Sequence, residues 1–82
     1  NLLIEEALET AVVMDVEGIP ARVFTAEHLA AIALQTGRPK DKARLLQFLE
    51  AESFDRRRFA DILDRHLLGD AWARFKRQFL DE

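Results

Sequence analysis

The densest group of residue types able to do chemistry lies in and just after the run QTGRPKD, Gln35 to Asp41, where Arg38, Lys40, Asp41, Lys42 and Arg44 follow Gly37. Backbone amides at a helix start, together with Arg38 and Lys40, could hold a phosphate, because helix N-termini and cations both favour anions. A simpler reading uses the same residues as punctuation. Gly37 ends one helix, Pro39 starts the next, Asp41 favours the N-terminal end of that helix, and the cations are solvated. A single glycine falls short of the several that cradle phosphate in a glycine-rich loop.

Other residues offer less. Arg56, Arg57 and Arg58 follow Asp55 at a predicted helix start. Three cations there oppose the macrodipole, which fits an acidic partner surface or nucleic acid, yet successive helical positions fan around the axis and read as a solvated face. His28 and His66 stand on different predicted helices with no acid or cysteine in metal-site spacing, so each reads as a surface or half-buried residue and no metal site is expected. Asp15 alternates with Val13 and Val16 on a predicted strand and could supply one carboxylate of a metal pair, but stands alone. The aromatics Phe54, Phe59, Trp72, Phe75 and Phe79 could stack nucleic-acid bases, but their helical spacing reads as core.

Composition narrows the classes. With 82 residues, 49% hydrophobic and 33% charged, the chain is one small folded domain or domain fragment, not a disordered tail. No apolar run reaches the roughly 18 residues of a membrane span. The absence of cysteine removes disulfides, thiolate nucleophiles and sulfur-ligated zinc together. Asn1 to Leu34 carries one cation and six acids, net −5, and Gln35 to Glu82 carries eleven cations and nine acids, net +2. Neither half is basic enough to call for nucleic acid by charge alone. The acid-bearing start has neither the basic flank of a signal peptide nor the Arg-rich character of a transit peptide, so a cytoplasmic location is expected. The chain begins at Asn1 and its only methionine is Met14, which reads as part of a longer product.

The elements follow from periodicity. Leu2, Leu3, Ile4, Ala7, Leu8 and Ala11 recur at helical spacing and predict a helix over about 2–10, with its acids toward solvent. The β-branched run around Glu17-Gly18 predicts a hairpin, Ala11–Val16 and Ile19–Phe24, with Pro20 confined to a strand start or sheet edge. Two strands alone are marginal in water and call for a larger sheet. Thr25 caps a helix that runs to Gly37. A third helix over Lys40 to Ala51 turns Ala43, Leu45, Leu46, Phe48 and Leu49 inward and leaves Asp41 largely outside. Ser53 or Asp55 caps a fourth through His66, whose stripe is Phe59, Ile62, Leu63 and Leu67. Gly69-Asp70 breaks and restarts the chain into a last helix bearing Trp72, Phe75 and Phe79. The fold class is α+β: helix and hairpin over 1–24, a helical part over 25–82.

In this order, Gly18 to Glu50 resembles the later part of proteins in the nucleotidyltransferase superfamily, specifically the uncharacterised bacterial group related to AbiEii-type toxins. Val23-Phe24-Thr25, Glu27 and Leu29 match a strand-to-helix pattern of that group, and Gly37-Arg38-Pro39-Lys40-Asp41 matches its charged turn. The resemblance implies a mixed sheet flanked by helices, with Mg²⁺ and a nucleoside triphosphate held elsewhere in a parent protein. The family's Gly-Ser motif with paired acids has no counterpart in this sequence. Many members carry a lysine in the helix before the turn, near the place where this chain has Leu34. The resemblance thus implies a carboxy-terminal part, catalytically silent alone, with no catalytic or metal-binding residue of its own and Arg38, Lys40 and Asp41 as the candidate nucleotide- or anion-contacting corner. The competing expectation is a helical interaction module whose helical tail mediates assembly, as a homo-oligomer or with a partner protein, as in half of a toxin–antitoxin pair; small size, the unpaired hairpin edge and the aromatic tail motivate it, with nucleic acid a distant third and no membrane.

Overall fold

The structure, a computed structural model, describes residues 1–80; the last two positions of the expected 1–82 domain lie outside the described residues. It consists of helix α1 (Leu2–Glu9), strands β1 (Val12–Val16) and β2 (Ile19–Val23), then helices α2 (Ala26–Thr36), α3 (Pro39–Glu50), α4 (Arg56–Arg65) and α5 (Gly69–Phe75). The last helix widens into a π-helical turn, Lys76–Leu80. This is the α+β arrangement read from the sequence, a hairpin followed by a helical tail.

Capping sets the helix starts. The Asn1 side chain accepts from the Leu3 amide, Thr25 from the His28 amide and Asp55 from the Arg58 amide, each satisfying one of the four donors a helix N-terminus leaves open. Asp55 rather than Ser53 therefore caps α4. Gly37 ends α2 at φ 67°, in the left-handed region where glycine lacks the Cβ penalty. Pro39 then occupies the first turn of α3, where its missing N–H leaves no orphan donor.

α2 is the centre of the body and packs against α1, α3, α4 and α5. Its buried Ala30, Ala31 and Ala33 allow close approach of the surrounding helices, whose larger side chains (Leu3, Leu45, Phe59, Ile62, Leu63 and Phe75) complete the core. An aromatic ladder runs through Phe48, Phe54, Phe59, Trp72, Phe75 and Phe79 with successive ring centroids 4.9 to 6.3 Å apart. Such pairs contribute roughly 0.5–1.5 kcal/mol each beyond burial. The aromatics are core, as their spacing predicts, although Phe79 at the ladder's end is exposed.

Three expectations need correction. The acids of α1 do not all face solvent: Glu6 turns inward and is half-buried. Asp41 is buried, whereas Ala43 on the expected apolar side is exposed; the Asp41 carboxylate is turned back to accept from the Thr36 hydroxyl and the Arg38 guanidinium. The break after α4 occurs at Leu67, before Gly69. Leu67 takes φ 57°, its N–H meets the Asp64 carbonyl at 3.4 Å, and the Leu68 N–H donates to the Leu63 carbonyl at 2.9 Å. These two bonds define a Schellman termination whose left-handed position holds a leucine where glycine is usual. That residue, counted in the α4 stripe from the sequence, is 90% exposed.

Candidate functional site

The polar centre of the molecule is one carboxylate. Glu6 Oε2 accepts from Arg65 Nη2 at 2.9 Å and from His28 Nε2 at 2.7 Å, and Oε1 accepts from Arg65 Nε and His66 Nε2, each at 3.1 Å. An ionised carboxylate only accepts, so both imidazoles present Nε2–H to it. Helical spacing in α1 places Glu6 beside the apolar Leu3 and Ala7. α2 supplies His28 one turn after its cap, and the end of α4 supplies Arg65 and His66. The Arg65 guanidinium is the main reason the Glu6 carboxyl is held far below the usual carboxylate range, with His28 and His66 adding to it and burial acting against it.

The two histidines, read from the sequence as standing on different helices with no acid in metal-site spacing, share one carboxylate. Their sequence neighbours gave no sign of it, since residue 6 and residue 66 meet only through the fold. A Glu facing an apolar stripe at helix spacing, opposite a His on the next helix, is the weak pattern that could have been read.

At His28 the arrangement continues into a hydroxyl–imidazole–carboxylate chain: Thr25 Oγ1 lies 2.6 Å from Nδ1. The order of groups is that of a nucleophile, a base and an orienting acid. Here it is structural. The Thr25 hydroxyl also accepts from the His28 amide at 3.2 Å as the α2 cap, and His28 is only 1% exposed, so a reacting atom has no access to the imidazole. The described buried side-chain polar atoms all have partners, and the cluster ties α1 to α2 and α4. A second tie of the same kind is Glu27 on α2, whose buried carboxylate accepts from the Asp55 amide at 3.0 Å.

At the Gly37 corner, Arg38 Nε and Thr36 Oγ1 both donate to Asp41 Oδ2, at 2.9 and 2.7 Å. The Arg38 hydrogen bond, then that of Thr36, pull the Asp41 carboxyl below its ordinary value. Arg38 and Asp41 thus meet each other, while Lys40 stands exposed and apart from the pair. Lys42 points elsewhere, onto the rim of a cleft of about 600 Å³ whose floor includes Leu34, Leu45 and Phe75 and whose rim includes Asp70 and Arg74. Arg56, Arg57 and Arg58 are exposed. Asp15 is exposed opposite Pro20, and no group of three or more His, Asp or Glu side chains among the described residues could hold a metal ion.

The remaining feature is the hairpin. Its register pairs Val12 with Val23, Met14 with Ala21 and Val16 with Ile19. Because side chains alternate, these six residues share one face, which is apolar throughout. Every β1 residue is exposed, and Val13 and Ile19 are 68% and 67% exposed. The strands pack chiefly on each other; Arg22 anchors them by donating to the Leu8 carbonyl at 2.9 Å. No family model, curated protein or solved structure matches the chain.

Proposed function

We propose that this chain is an interaction and assembly module whose hairpin is covered by another polypeptide in the working protein. The observation that carries this reading is the hairpin's apolar face, exposed at Val12, Met14, Val16 and Ile19, on a body whose buried polar side chains are satisfied within itself. Contiguous apolar patches of a few hundred Å² mark interaction surfaces more often than inert ones, and two strands without a third element gain little stability alone. The double substitution Met14→Lys/Ile19→Lys tests it. The native chain should bind a hydrophobic dye and associate at micromolar to millimolar concentration in light scattering; the variant should lose both while keeping its helical circular dichroism. A native chain that neither binds dye nor associates overturns the reading.

A second reading keeps the nucleotidyltransferase resemblance, with this chain as the carboxy-terminal part of such a protein and its strands completed by the parent's sheet. What supports it is the order of hairpin, Thr25-capped helix and GRPKD corner, together with two strands that want a sheet. In this reading Arg38, Lys40 and Asp41 contact the nucleotide of a Mg²⁺-dependent parent and the chain alone transfers nothing. Titration of Mg²⁺–ATP followed by amide chemical shifts checks it: shifts confined to residues 37–42 support the corner, and their absence removes it. A bacterial toxin–antitoxin role would be one setting for either reading.

A further inference from the structure

The hairpin's two edges are not equivalent, and their difference identifies the partner. Glu17 and Gly18 have φ of 53° and 81°, the two positive values of a type I′ two-residue turn. In such a hairpin the pair flanking the turn exchanges hydrogen bonds and pairs alternate from there. Val16–Ile19, Met14–Ala21 and Val12–Val23 are then the bonded pairs, and Asp15–Pro20 and Val13–Arg22 the non-bonded ones. Non-bonded residues turn their N–H and C=O outward. On the β2 edge one of those outward positions is Pro20, which has no N–H to offer. On the β1 edge the outward groups belong to Val13 and Asp15, and both positions are exposed. β1 is therefore the edge open to a third strand.

Charge then chooses among strands. The open edge carries Asp15, with Glu17 in the turn beside it, inside a stretch, Asn1 to Leu34, with one cation and six acids. That cation, Arg22, is held on the Leu8 carbonyl. A second copy of the chain brought to this edge would add its own Asp15 and Glu17, so like charge opposes self-pairing. A strand with alternating apolar and basic residues meets both faces: its apolar side chains extend the Met14 face and its cations lie beside Asp15 on the other.

Resting on the reading of the chain as an assembly module, we propose that β1 is a β-augmentation site for an extended, basic, alternating segment of a partner protein. Main-chain bonds from Val13 and Asp15 would give affinity and the two faces would give register.

The test uses the full chain with three synthetic peptides: alternating Lys–Val, the same residues with the valines contiguous, and alternating Glu–Val. Amide hydrogen exchange is the readout. The alternating Lys–Val peptide should slow exchange at Val13 and Asp15 by at least about tenfold, the other two much less. Val13→Pro, which removes an outward N–H without touching a bond inside the hairpin, should abolish that protection. Asp15→Lys, which leaves the backbone donors intact, should transfer the preference to the Glu–Val peptide. Equal protection by the contiguous-valine peptide, or binding that Val13→Pro leaves unchanged, would overturn strand addition. Concentration-dependent protection of Val13 and Asp15 in the chain alone would assign the edge to a second copy and refute the basic partner while leaving the assembly reading intact. No protection in any arm refutes the edge proposal; the dye-binding and association experiment separately decides whether the assembly reading falls with it.

Discussion

Glu6 and Met14 lie eight positions apart in the sequence and in opposite physical circumstances. The carboxylate, a group that prefers water, is drawn inward and held by an arginine and two histidines from distant parts of the chain. The thioether, a group that prefers a core, stands 52% exposed on a strand. In the first region the unfavourable choice is offset locally: Glu6 accepts four hydrogen bonds from Arg65, His28 and His66, so partial burial of a charge is matched by charge-assisted bonds. In the second nothing within the described residues offsets the exposure. The body satisfies its polar groups within itself, and the hairpin leaves its apolar side chains exposed; that division is the ground for the proposed assembly reading.

That contrast can be broken by mutation. Phe59 is 1% exposed and touches two neighbours of the aromatic ladder, so Phe59→Ala should cost about 3–5 kcal/mol, much of the total stability of so small a domain. Urea unfolding followed by circular dichroism measures it. Glu6→Ala should cost about 2–4 kcal/mol, because the buried His28 loses its acceptor and Arg65 its counter-charge; a loss under about 1 kcal/mol would show the cluster to be incidental.

The same cluster predicts a pH dependence. The folded chain holds the Glu6 carboxyl below its ordinary value, so its stabilisation is complete above the unfolded-state value of about 4.3 and is lost as the pH falls below that toward the folded-state value. The stability difference between the native chain and Glu6→Gln should therefore be level near neutrality and shrink between about pH 5 and 2. A difference that is flat through that window would contradict the ionised cluster.

Leu67→Gly should stabilise the chain by about 0.5–1 kcal/mol, since glycine removes the left-handed Cβ penalty and an exposed leucine has little packing to lose. Thermal unfolding would register this as a rise of several degrees. Smallest of all, Met14→Lys should change stability by less than about 0.5 kcal/mol. A large destabilisation there would mean that the hairpin packs on the body after all, and the comparison would collapse.

The parts of the fold that depend on local rules were legible from the sequence. Thr25 and Asp55 as caps, Gly37 as a left-handed stop, Pro39 in a first turn and Glu17-Gly18 as a tight turn each act within a few residues, and the structure places them within a residue or two of the expected positions. The Glu6 cluster was not legible, because it joins positions 59 and 60 residues apart and single-sequence periodicity carries no such pairing. Leu67 escaped for the opposite reason: a local rule pointed to Gly69, and a leucine took the strained conformation two residues earlier. At the QTGRPKD corner the helix-to-helix geometry was readable, whereas the internal pairing of Arg38 with Asp41 depends on side-chain directions that sequence spacing leaves open.

The pairing of Val12 with Val23 has a consequence for how the chain can be taken apart. Bonded partners across an antiparallel ladder have their Cα atoms only about 5.5 Å apart, so the hairpin leaves the helical body and returns to it through almost the same point. Just outside that point, Glu6 and His28 are joined across 22 residues. The hairpin is in effect an insertion with a stapled base, one that a two-residue bridge could replace. Excising it should leave a helical miniature with its carboxylate hub in place, and would separate the exposed apolar strands from the helices that pack without them.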